Sequence, residues 1–416
     1  MKKVAVIGAG ITGVTTAYAL AKRGLDVTVY EKNRYAAMET SFANGGQLSA
    51  SNAEVWNSTA TVLKGLKWMT TADAPLLLNP APSWHKYSWM GEFLRQIPNY
   101  KSNTVDTVRL AIMAREHLYA IAEQEGFDFN LEKRGILHIY ADRAGFEAAS
   151  AVNVLLREGG LDRRSVTPRE MKQIEPTLRG EFYGGFFTPS DSTGDIHKFT
   201  RGLAEACRRK GVHFHYDTDI TSIARETDGL RIHSTAGGDR RRNDVVDGVV
   251  VCAGVHSRRF AAMFGDHVNI YPVKGYSITV NLDDEKSQQA APWVSLLDDA
   301  AKIVTSRLGV DRFRVAGTAE INGFNKDIRA DRVAPLTDWV RRYFPDCSTA
   351  RVIPWAGLRP MMPNMLPKVG PGKQDGVFYN TGHGHLGWTL SCATAELLAD
   401  SVESSHLRSV RAAVSA

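Results

Sequence analysis

Residues 4–32 read VAVIGAGITGVTTAYALAKRGLDVTVYEK and place three glycines at the spacing G-x-G-x-x-G between two apolar segments. The alternating apolar residues before the glycines predict a buried strand, and the apolar residues after them recur at helical period. The segment DVTVY at 26–30 predicts a second strand, and it is followed by Glu31. A strand, a glycine turn, a helix and a strand with an acid at its end are typical of a dinucleotide-binding unit. The stretch therefore predicts an α/β fold that binds a dinucleotide.

Each glycine of this turn has a separate physical role. Gly8 allows the sharp turn, Gly10 lets a pyrophosphate approach the backbone, and Gly13 lets the helix pack closely on the strand. The start of the helix offers unpaired N–H groups and the positive end of its dipole to the phosphates. Glu31 can accept a hydrogen bond from a ribose hydroxyl.

Length and composition describe a large globular chain. Its 416 residues are 43% hydrophobic and 23% charged, enough for two closely joined domains. The four cysteines (207, 252, 347 and 392) form no C-x-x-C pair, which indicates a reducing compartment. No export signal opens the chain and no apolar run reaches the roughly 18 residues that span a bilayer, so a cytoplasmic location is predicted. The net charge of +6 favours anionic partners weakly.

Nucleotide-type and antiparallel segments interleave along the chain. DGVVVCAGVHS at 247–257 predicts a central parallel strand that meets a ligand at its carboxyl end. Helices are predicted at 107–125 and 197–210, and strands of a separate antiparallel sheet between 275 and 318. The predicted division is a cofactor-binding domain of residues 1–55, 195–265 and 355–405, and a substrate or cap domain of residues 56–194 and 266–354.

Two stretches near the C-terminus carry candidate chemistry. In WAGLRPMMPNMLPKVG (355–370), Arg359 is expected in a loop stiffened by prolines, where its guanidinium could clamp a carboxylate or serve a structural ion pair. In NTGHGHLGWTLSCATAELLAD (380–400), a glycine-rich loop opens onto a helix from about Leu386, whose start could stabilise negative charge. His383 and His385 in that loop are either catalytic or hydrogen-bonding spacers.

Residues 56–89 hold four of the eight tryptophans, with lysines among them. This mixture fits either insertion into a membrane interface or aromatic side chains packed in a cap over the active site. The run DRRRND at 239–244 predicts a solvated hairpin tip, and the other basic residues are dispersed, which disfavours nucleic-acid binding. The tryptophans and lysines of the stretch 56–89 are Trp56, Lys64, Lys67, Trp68, Trp84, Lys86 and Trp89.

The chain lacks a second G-x-G-x-x-G and a redox cysteine pair, so FAD suits it better than the cofactors of a disulfide-type nicotinamide reductase. It resembles the FAD-dependent D-amino acid dehydrogenase family, within the wider D-amino acid oxidase and glycine oxidase group. The resemblance implies a Rossmann-type FAD-binding domain with a discontinuous antiparallel-sheet substrate domain. The matching stretches are ETSFANGGQLS (39–49), PVKGYSIT (272–279), AGTAEINGFN (316–325), GLRPMMP (357–363) and NTGHGHLGWT (380–389).

The resemblance also implies roles for single residues. Arg359 would pair with the substrate carboxylate and Tyr276 would border the substrate, with His383 as a further catalytic candidate. FAD is expected to be non-covalent, since no cysteine lies between 348 and 391, and no metal site is predicted. The implied cofactor-binding residues are Gly8, Gly10, Ile11, Thr12, Gly13, Glu31, Lys32, Ala43, Asn44, Gly45, Gly46, Gln47, Ile220, Ala253, Gly254, Gly357, Gly384, His385, Leu386, Gly387, Trp388 and Thr389.

The implied reaction is oxidative deamination of a D-amino acid by hydride transfer from the α-carbon to flavin N5. The electrons would pass to a quinone or another non-oxygen acceptor, with contact at the inner face of the cell membrane as an open alternative to a purely cytoplasmic location. The family usually has a threonine at His385 and TPDGTP where this chain has MPNMLP (362–367). Asn364, Met365 and Leu366 therefore predict neutral or cyclic substrates such as D-proline or hydroxy-D-proline. Glycine or N-methyl amino acid oxidation and an RNA-acting flavoprotein are the alternatives.

Overall fold

The structure is a computed structural model that describes residues 2–68, 75–238 and 240–414, with the backbone alone for 66–68 and 406–414. Its strands are β1 (Lys3–Ile7), β2 (Asp26–Tyr30), β3 (Gln47–Leu48), β4 (Leu76–Leu78), β5 (Ile136–Tyr140), β6 (Arg164–Val166), β7 (Gly184–Thr188), β8 (Ser192–Thr193), β9 (His213–His215), β10 (Thr218–Glu226), β11 (Gly229–Ala236), β12 (Arg240–Val246), β13 (Gly248–Val251), β14 (Tyr271–Asn281), β15 (Ser295–Asp298), β16 (Ile303–Arg307), β17 (Arg312–Ile321), β18 (Val352–Met361), β19 (Lys368–Pro371) and β20 (Val377–Thr381). Its helices are α1 (Ile11–Lys22), α2 (Thr59–Trp68), α3 (Trp84–Arg95), α4 (Tyr100–Glu125), α5 (Arg143–Glu158), α6 (Pro168–Ile174), α7 (Ile196–Arg209), α8 (Ser257–Met263), α9 (Glu285–Ala290), α10 (Ala330–Tyr343) and α11 (Gly387–Val414).

A six-stranded sheet in the order β19-β20-β13-β1-β2-β9 carries the predicted nucleotide unit. β1 pairs in parallel with β2 on one side and with β13 on the other. Both faces of β1 are buried, since Val4 and Val6 pack with α1, α7 and α11, while Ala5 and Ile7 pack with β10, β11 and α8. Strands covered on both faces are the reason for the continuous apolar sequence of β1 and β13.

A nine-stranded, largely antiparallel sheet forms the second layer, in the order β18-β14-β17-β16-β15-β5-β7-β6 with β4 paired to β17. α10 packs on it through the buried side chains of Leu336 and Trp339. The long strands β14 and β18 pair over ten residues, which sets Val273 opposite Arg359 and Gly275 opposite Gly357.

The prediction of an α/β fold with two interleaved sheets is confirmed. The helices predicted at 107–125 and 197–210 correspond to α4 and α7. The hairpin tip predicted at 239–244 is wrong, because residues 240–244 lie within β12; Asp239 is outside the described residues.

The loop predicted around Arg359 is also wrong, because Arg359 lies in β18. β18 is the edge strand of its sheet, and an edge strand accommodates Pro354 and Pro360, which cannot donate to a ladder. The domain boundary placed at 355 falls inside this strand. We therefore propose that residues 352–361 belong with the substrate domain and that the rest of the division stands as predicted.

Candidate active site

A cavity of about 970 Å³ is lined by residues of both large sheets, at the upper end of the volumes usual for small-molecule sites. Among the predicted site residues, Gly13 is the exception that does not line it. A Cβ at Gly13 would lie 1.8 Å from the carbonyl oxygen of Gly8, so Gly13 serves the close packing of helix on strand. The sequence motifs at both ends of the chain thus meet in one site.

At the dinucleotide end, β1 runs through the glycine turn into α1, whose first residues line the cavity. The carboxylate of Glu31 accepts hydrogen bonds from the backbone N–H of Ala9 (2.7 Å) and from Asn33. Burial raises the pKa of Glu31, although these hydrogen bonds oppose the shift. Glu31 lines the cavity, so its position suits the predicted contact with a ribose.

The segment 43–47 is fastened to the nine-stranded sheet by side chains of that sheet. Ser277 Oγ donates to the carbonyl of Ala43 (2.7 Å), and Ser306 Oγ donates to that of Gly45 (2.6 Å). Arg314 Nη1 donates to the carbonyl between them, at 3.1 Å. This wall of the cavity is therefore fixed by β14, β16 and β17.

A second helix, α11, begins at the cavity after the glycine-rich loop. Thr389 Oγ1 accepts a hydrogen bond from the N–H of Ser49 (3.2 Å). This bond holds the start of α11 against the residues that follow the segment 43–47. In the described part of the chain, the buried atoms Trp388 Nε1 and Gln47 Oε1 have no hydrogen-bond partner. Two helix starts, the donor Trp388 Nε1 and the acceptor Gln47 Oε1 are a set of polar groups that fits FAD, and the start of α1 would suit its phosphates.

Arg359 lines the cavity with its charge unpaired. Its side chain donates from Nη1 to the carbonyl of Thr318 (3.2 Å), and no carboxylate of the described residues lies within ion-pair distance of it. Burial lowers the pKa of its guanidinium to about 10, with no opposing negative charge. A cation in such a place is suited to binding the carboxylate of a ligand.

Two backbone features position Arg359. The guanidinium lies over Gly275, where a Cβ would come within 2.3 Å of its Cζ. The β14–β17 pairing has an irregularity between Lys274 and Tyr276, and Thr318 across from it has a φ of +57°. A β-branched residue at positive φ is strained, and such strain concentrates at functional sites.

Tyr276 also lines the cavity, but its hydroxyl is used elsewhere. Tyr276 Oη donates to Glu320 (3.0 Å), which pairs with Lys274 (2.7 Å) and lies 3.6 Å from Arg332. Burial alone would lower the pKa of Lys274, but the hydrogen bond and charge of Glu320 outweigh it and raise that pKa. Tyr276 thus connects the cavity wall to a buried ionic cluster.

The two histidines of the glycine-rich loop differ in setting. His383 is 2% exposed, its Nε2 lies 2.9 Å from Thr394 Oγ1, and burial lowers its pKa to about 3. His385 stacks on Trp56 at 4.9 Å, and burial together with the charge of Arg359 lowers its pKa to about 4. Both rings are neutral near pH 7.

The sequence matches the family of FAD-dependent oxidoreductases over residues 3–401. The chain belongs to this family. A protein of Mesorhizobium japonicum named D-amino acid dehydrogenase 3 is 64% identical over 399 residues, 96% of each chain. A D-amino acid dehydrogenase of Paramagnetospirillum magneticum is 41% identical over 96% of this chain and 94% of its own. The family resemblance inferred from the motifs is confirmed, and FAD is the cofactor.

Solved structures share the fold of this FAD-dependent oxidoreductase. A glycine oxidase from Geobacillus kaustophilus superposes with a TM-score of 0.76 at 22% identity, over 97% of this chain and 95% of its own. An L-proline dehydrogenase from P. horikoshii gives a TM-score of 0.75 at 17% identity, over 97% and 93%. The predicted D-amino acid oxidase-like architecture is therefore confirmed.

The tryptophan-rich region of the oxidoreductase divides between interior and surface. Trp89 is buried and donates from Nε1 to the carbonyl of Met361 (2.8 Å), while Trp56 lines the cavity against His385. Trp84 is 82% exposed. Lys86 is buried and donates to two backbone carbonyls, so it is not a surface charge. Trp68 and Lys67 lie outside the residues whose side chains are described. In the described ranges, no helix is both long and apolar enough to cross a bilayer.

The residues chosen above for substrate preference do not line the cavity. Met365 is buried against Val55 and Trp89, and Asn364 bonds with Asn103 and with the N–H of Leu366. The prediction that Asn364, Met365 and Leu366 determine the substrate preference is therefore wrong, because none of the three lines the cavity. Asn364 and Met365 follow Arg359 by five and six positions, but β18 ends at Met361 and the chain then leaves the cavity.

Several residues that line the cavity of this oxidoreductase were not predicted. Glu54 and Tyr100 come from the segment before α2 and from the start of α4, and Lys302 comes from the turn before β16. No motif marks them, because their proximity depends on contacts between distant segments. The other lining residues with ionisable side chains that were not predicted are Tyr30, Glu39, Lys64, His138, Tyr140, Arg163, Asp219, Cys252, His256, Arg259 and Asp299.

Proposed function

We propose that this oxidoreductase oxidises D-amino acids at the α-carbon. The observation that carries the proposal is Arg359, a partly buried guanidinium that lines the cofactor cavity without a carboxylate partner among the described residues. The names of the two relatives, which are 64% and 41% identical, support the same class of substrate.

The chain's contribution is binding and orientation. Arg359 holds the substrate carboxylate, and Gly275 beneath it leaves room for the guanidinium. The Thr318 carbonyl fixes one end of that guanidinium, so the α-carbon of a bound amino acid takes one orientation. Correct placement of reacting groups contributes about 7–11 kcal/mol to catalysis. FAD, when bound, supplies the hydride acceptor. The imino acid from a primary amine hydrolyses to an oxo acid and ammonia, whereas the cyclic imine from a proline-type substrate persists or opens with its nitrogen retained.

The finer substrate preference is for neutral or cyclic side chains such as those of D-proline and hydroxy-D-proline. The lining near Arg359 supports it, since Trp56, Tyr276, Trp355 and Leu358 are aromatic or apolar. Apolar walls stabilise a compact ring by burying its surface, about 25 cal/mol per Å².

The electron acceptor in this proposal is a quinone or another carrier rather than oxygen. The relatives named dehydrogenases support it. Contact with a membrane surface belongs to the same proposal, and the exposed side chains of Trp84 and Tyr87 on α3 are the candidates for it.

Anaerobic mixing of the purified flavoprotein with a panel of D- and L-amino acids tests the proposal. We expect D-amino acids to bleach the flavin absorption, D-proline among the fastest, and L-enantiomers to leave it unchanged. Including glycine and sarcosine tests the alternative substrates. A flavin that no D-amino acid reduces would refute the proposal, and admitting air or a soluble quinone to the reduced protein separates oxidase from dehydrogenase.

A further inference from the structure

The acidic side chains that line the cavity differ in what they bind. Glu31 accepts hydrogen bonds from backbone and asparagine donors, and Glu39, Asp219 and Asp299 each form an ion pair with a lysine or arginine. Among the described residues, Glu54 is the acidic residue of the cavity that has neither arrangement. Its charge is therefore available to a ligand.

One oxygen of Glu54 is fixed and the other is free. Tyr100 Oη donates to Glu54 Oε1 at 2.6 Å, and Oε2 has no hydrogen-bond partner in the part of the chain that the structure describes. The side chain is only partly buried and faces the cavity. A carboxylate held by one oxygen is oriented while its second oxygen can accept from a ligand.

The segment that carries Glu54 lies against the loop beside Arg359. The carbonyl of Asn52 is 3.3 Å from His385 Nε2, and Trp56 stacks on the same ring. His383 of that loop forms a β-bridge with Met361, which follows Arg359 by two residues in β18. Glu54, between Asn52 and Trp56 in the chain, is therefore at the Arg359 end of the cavity.

Lys302 lines the same cavity, and its positive charge opposes the rise in the pKa of Glu54. Lys302 itself is paired with Asp299. Burial is the largest influence on Glu54 and raises its pKa. Among the described residues, this end of the cavity thus contains one cation and one carboxylate that form no ion pair.

We propose that Glu54 binds the amino group of the substrate while Arg359 binds its carboxylate. The assignment rests on the proposed function, since it requires an amino acid in the cavity. A zwitterion in a largely apolar pocket needs a partner for each of its charges, because an unpaired buried charge is costly. Glu54 is then a specificity-determining residue that separates amino acids from carboxylic acids of the same shape.

Glu54→Gln tests this assignment, because the amide keeps the shape and the acceptor for Tyr100 but removes the charge. The affinity of the flavoprotein for D-proline is obtained from the saturation of the anaerobic bleaching rate. The affinity for tetrahydrofuran-2-carboxylate, which has the same ring without the nitrogen, is obtained by competition. We expect the variant to bind D-proline about 10- to 100-fold more weakly and the analogue less than about 3-fold more weakly.

Glu39→Gln is the matched control, an acid-to-amide change at a cavity carboxylate that is already paired with Lys32 and Lys326. We expect it to change both affinities by the same factor. Equal effects of Glu54→Gln on both ligands, or no effect on either, would overturn the assignment. If that variant does not retain FAD, Glu54→Ala is measured in the same way with the same two outcomes.

The wild-type measurement separates this assignment from the proposed function. A wild-type flavin that no D-amino acid reduces overturns both. If D-proline reduces the wild-type flavin but Glu54→Gln changes the affinities for D-proline and for the analogue equally, the assignment alone is overturned.

Discussion

Cations beside neighbouring strands of the nine-stranded sheet occur in two different arrangements. Lys274 on β14 and Arg332 on α10 share the carboxylate of Glu320 on β17, and all three are almost fully buried. Arg359 on β18 has no carboxylate among the described residues and instead faces the cavity. The same layer of the protein therefore contains one neutralised cluster and one open charge.

The difference shows which charge belongs to the fold and which to the ligand. Burying a cation is costly, and a structural one is compensated within the chain. The burial that lowers the pKa of Arg359 to about 10 has no such compensation until an anion enters. The comparison predicts that changes at Arg359 affect activity and that changes at Glu320 affect stability.

The largest effect is expected for Arg359→Met. Removing the carboxylate partner should lower kcat/KM for a D-amino acid by about 10²- to 10³-fold, while FAD stays bound. Because an uncompensated charge is lost, the Tm without substrate should be no lower than that of the wild type. Arg359→Lys, which keeps the charge but not the two parallel donors, should be intermediate. Wild-type kinetics in Arg359→Met would contradict the role.

Glu320→Gln should act on stability. It removes the negative charge that Lys274 and Arg332 share, and the free energy of unfolding in urea should fall by about 3 kcal/mol. Glu147→Gln, the same change in an exposed pair with Arg143, should leave it unchanged within error. Equal unfolding curves for Glu320→Gln and Glu147→Gln would contradict a stabilising role of the buried cluster around Glu320.

Gly275→Ala tests whether the backbone of β14 positions the guanidinium of Arg359. The new Cβ would lie 2.3 Å from Arg359 Cζ, so the guanidinium must move, and kcat/KM should fall about 10- to 100-fold with FAD content unchanged. Gly91→Ala on α3 is the control, since nothing lies within 4 Å of its Cβ position. Loss of activity in both variants would point to a general effect of the substitution.

The smallest effect concerns His383, a buried group that avoids an uncompensated charge by staying neutral. Its pKa of about 3 in the folded protein is below the 6.5 of an unfolded chain, so the unfolded state binds the extra proton in between. Above pH 6.5 the buried neutral His383 therefore does not lower the free energy of unfolding. Below pH 6.5 that free energy falls as the pH is lowered. The slope of the free energy of unfolding against pH reports how many more protons the unfolded state binds. Between pH 6 and 4.5, His383→Asn should lower that number by about one. Parallel pH profiles in urea titrations would contradict the burial argument.

The sequence predicts the dinucleotide end of the site well and the substrate end only in part. The glycine turn and Glu31 lie within 30 residues, so local pattern and spacing suffice to identify them. Arg359 was identified as a ligand residue, but its prolines suggested a loop although an edge strand accommodates them. Glu54 gave no signal, because its partner Tyr100 and its neighbour Lys302 come from distant segments.

Position in the chain was also misleading near β18. Asn364 and Met365 follow Arg359 closely, yet Met365 turns into the cluster around Trp89. A motif locates its own residues in the fold, whereas the residues after it depend on where the strand ends.

Thr318 has a consequence for the engineering of this oxidoreductase. Its left-handed backbone costs of order 1–3 kcal/mol, and glycine would adopt the same φ without that cost. Selection for heat resistance alone would therefore favour glycine at position 318. The more flexible backbone would hold the carbonyl beside Arg359 less firmly. A heat-resistant lineage would then have a higher melting temperature and a lower affinity for small zwitterions.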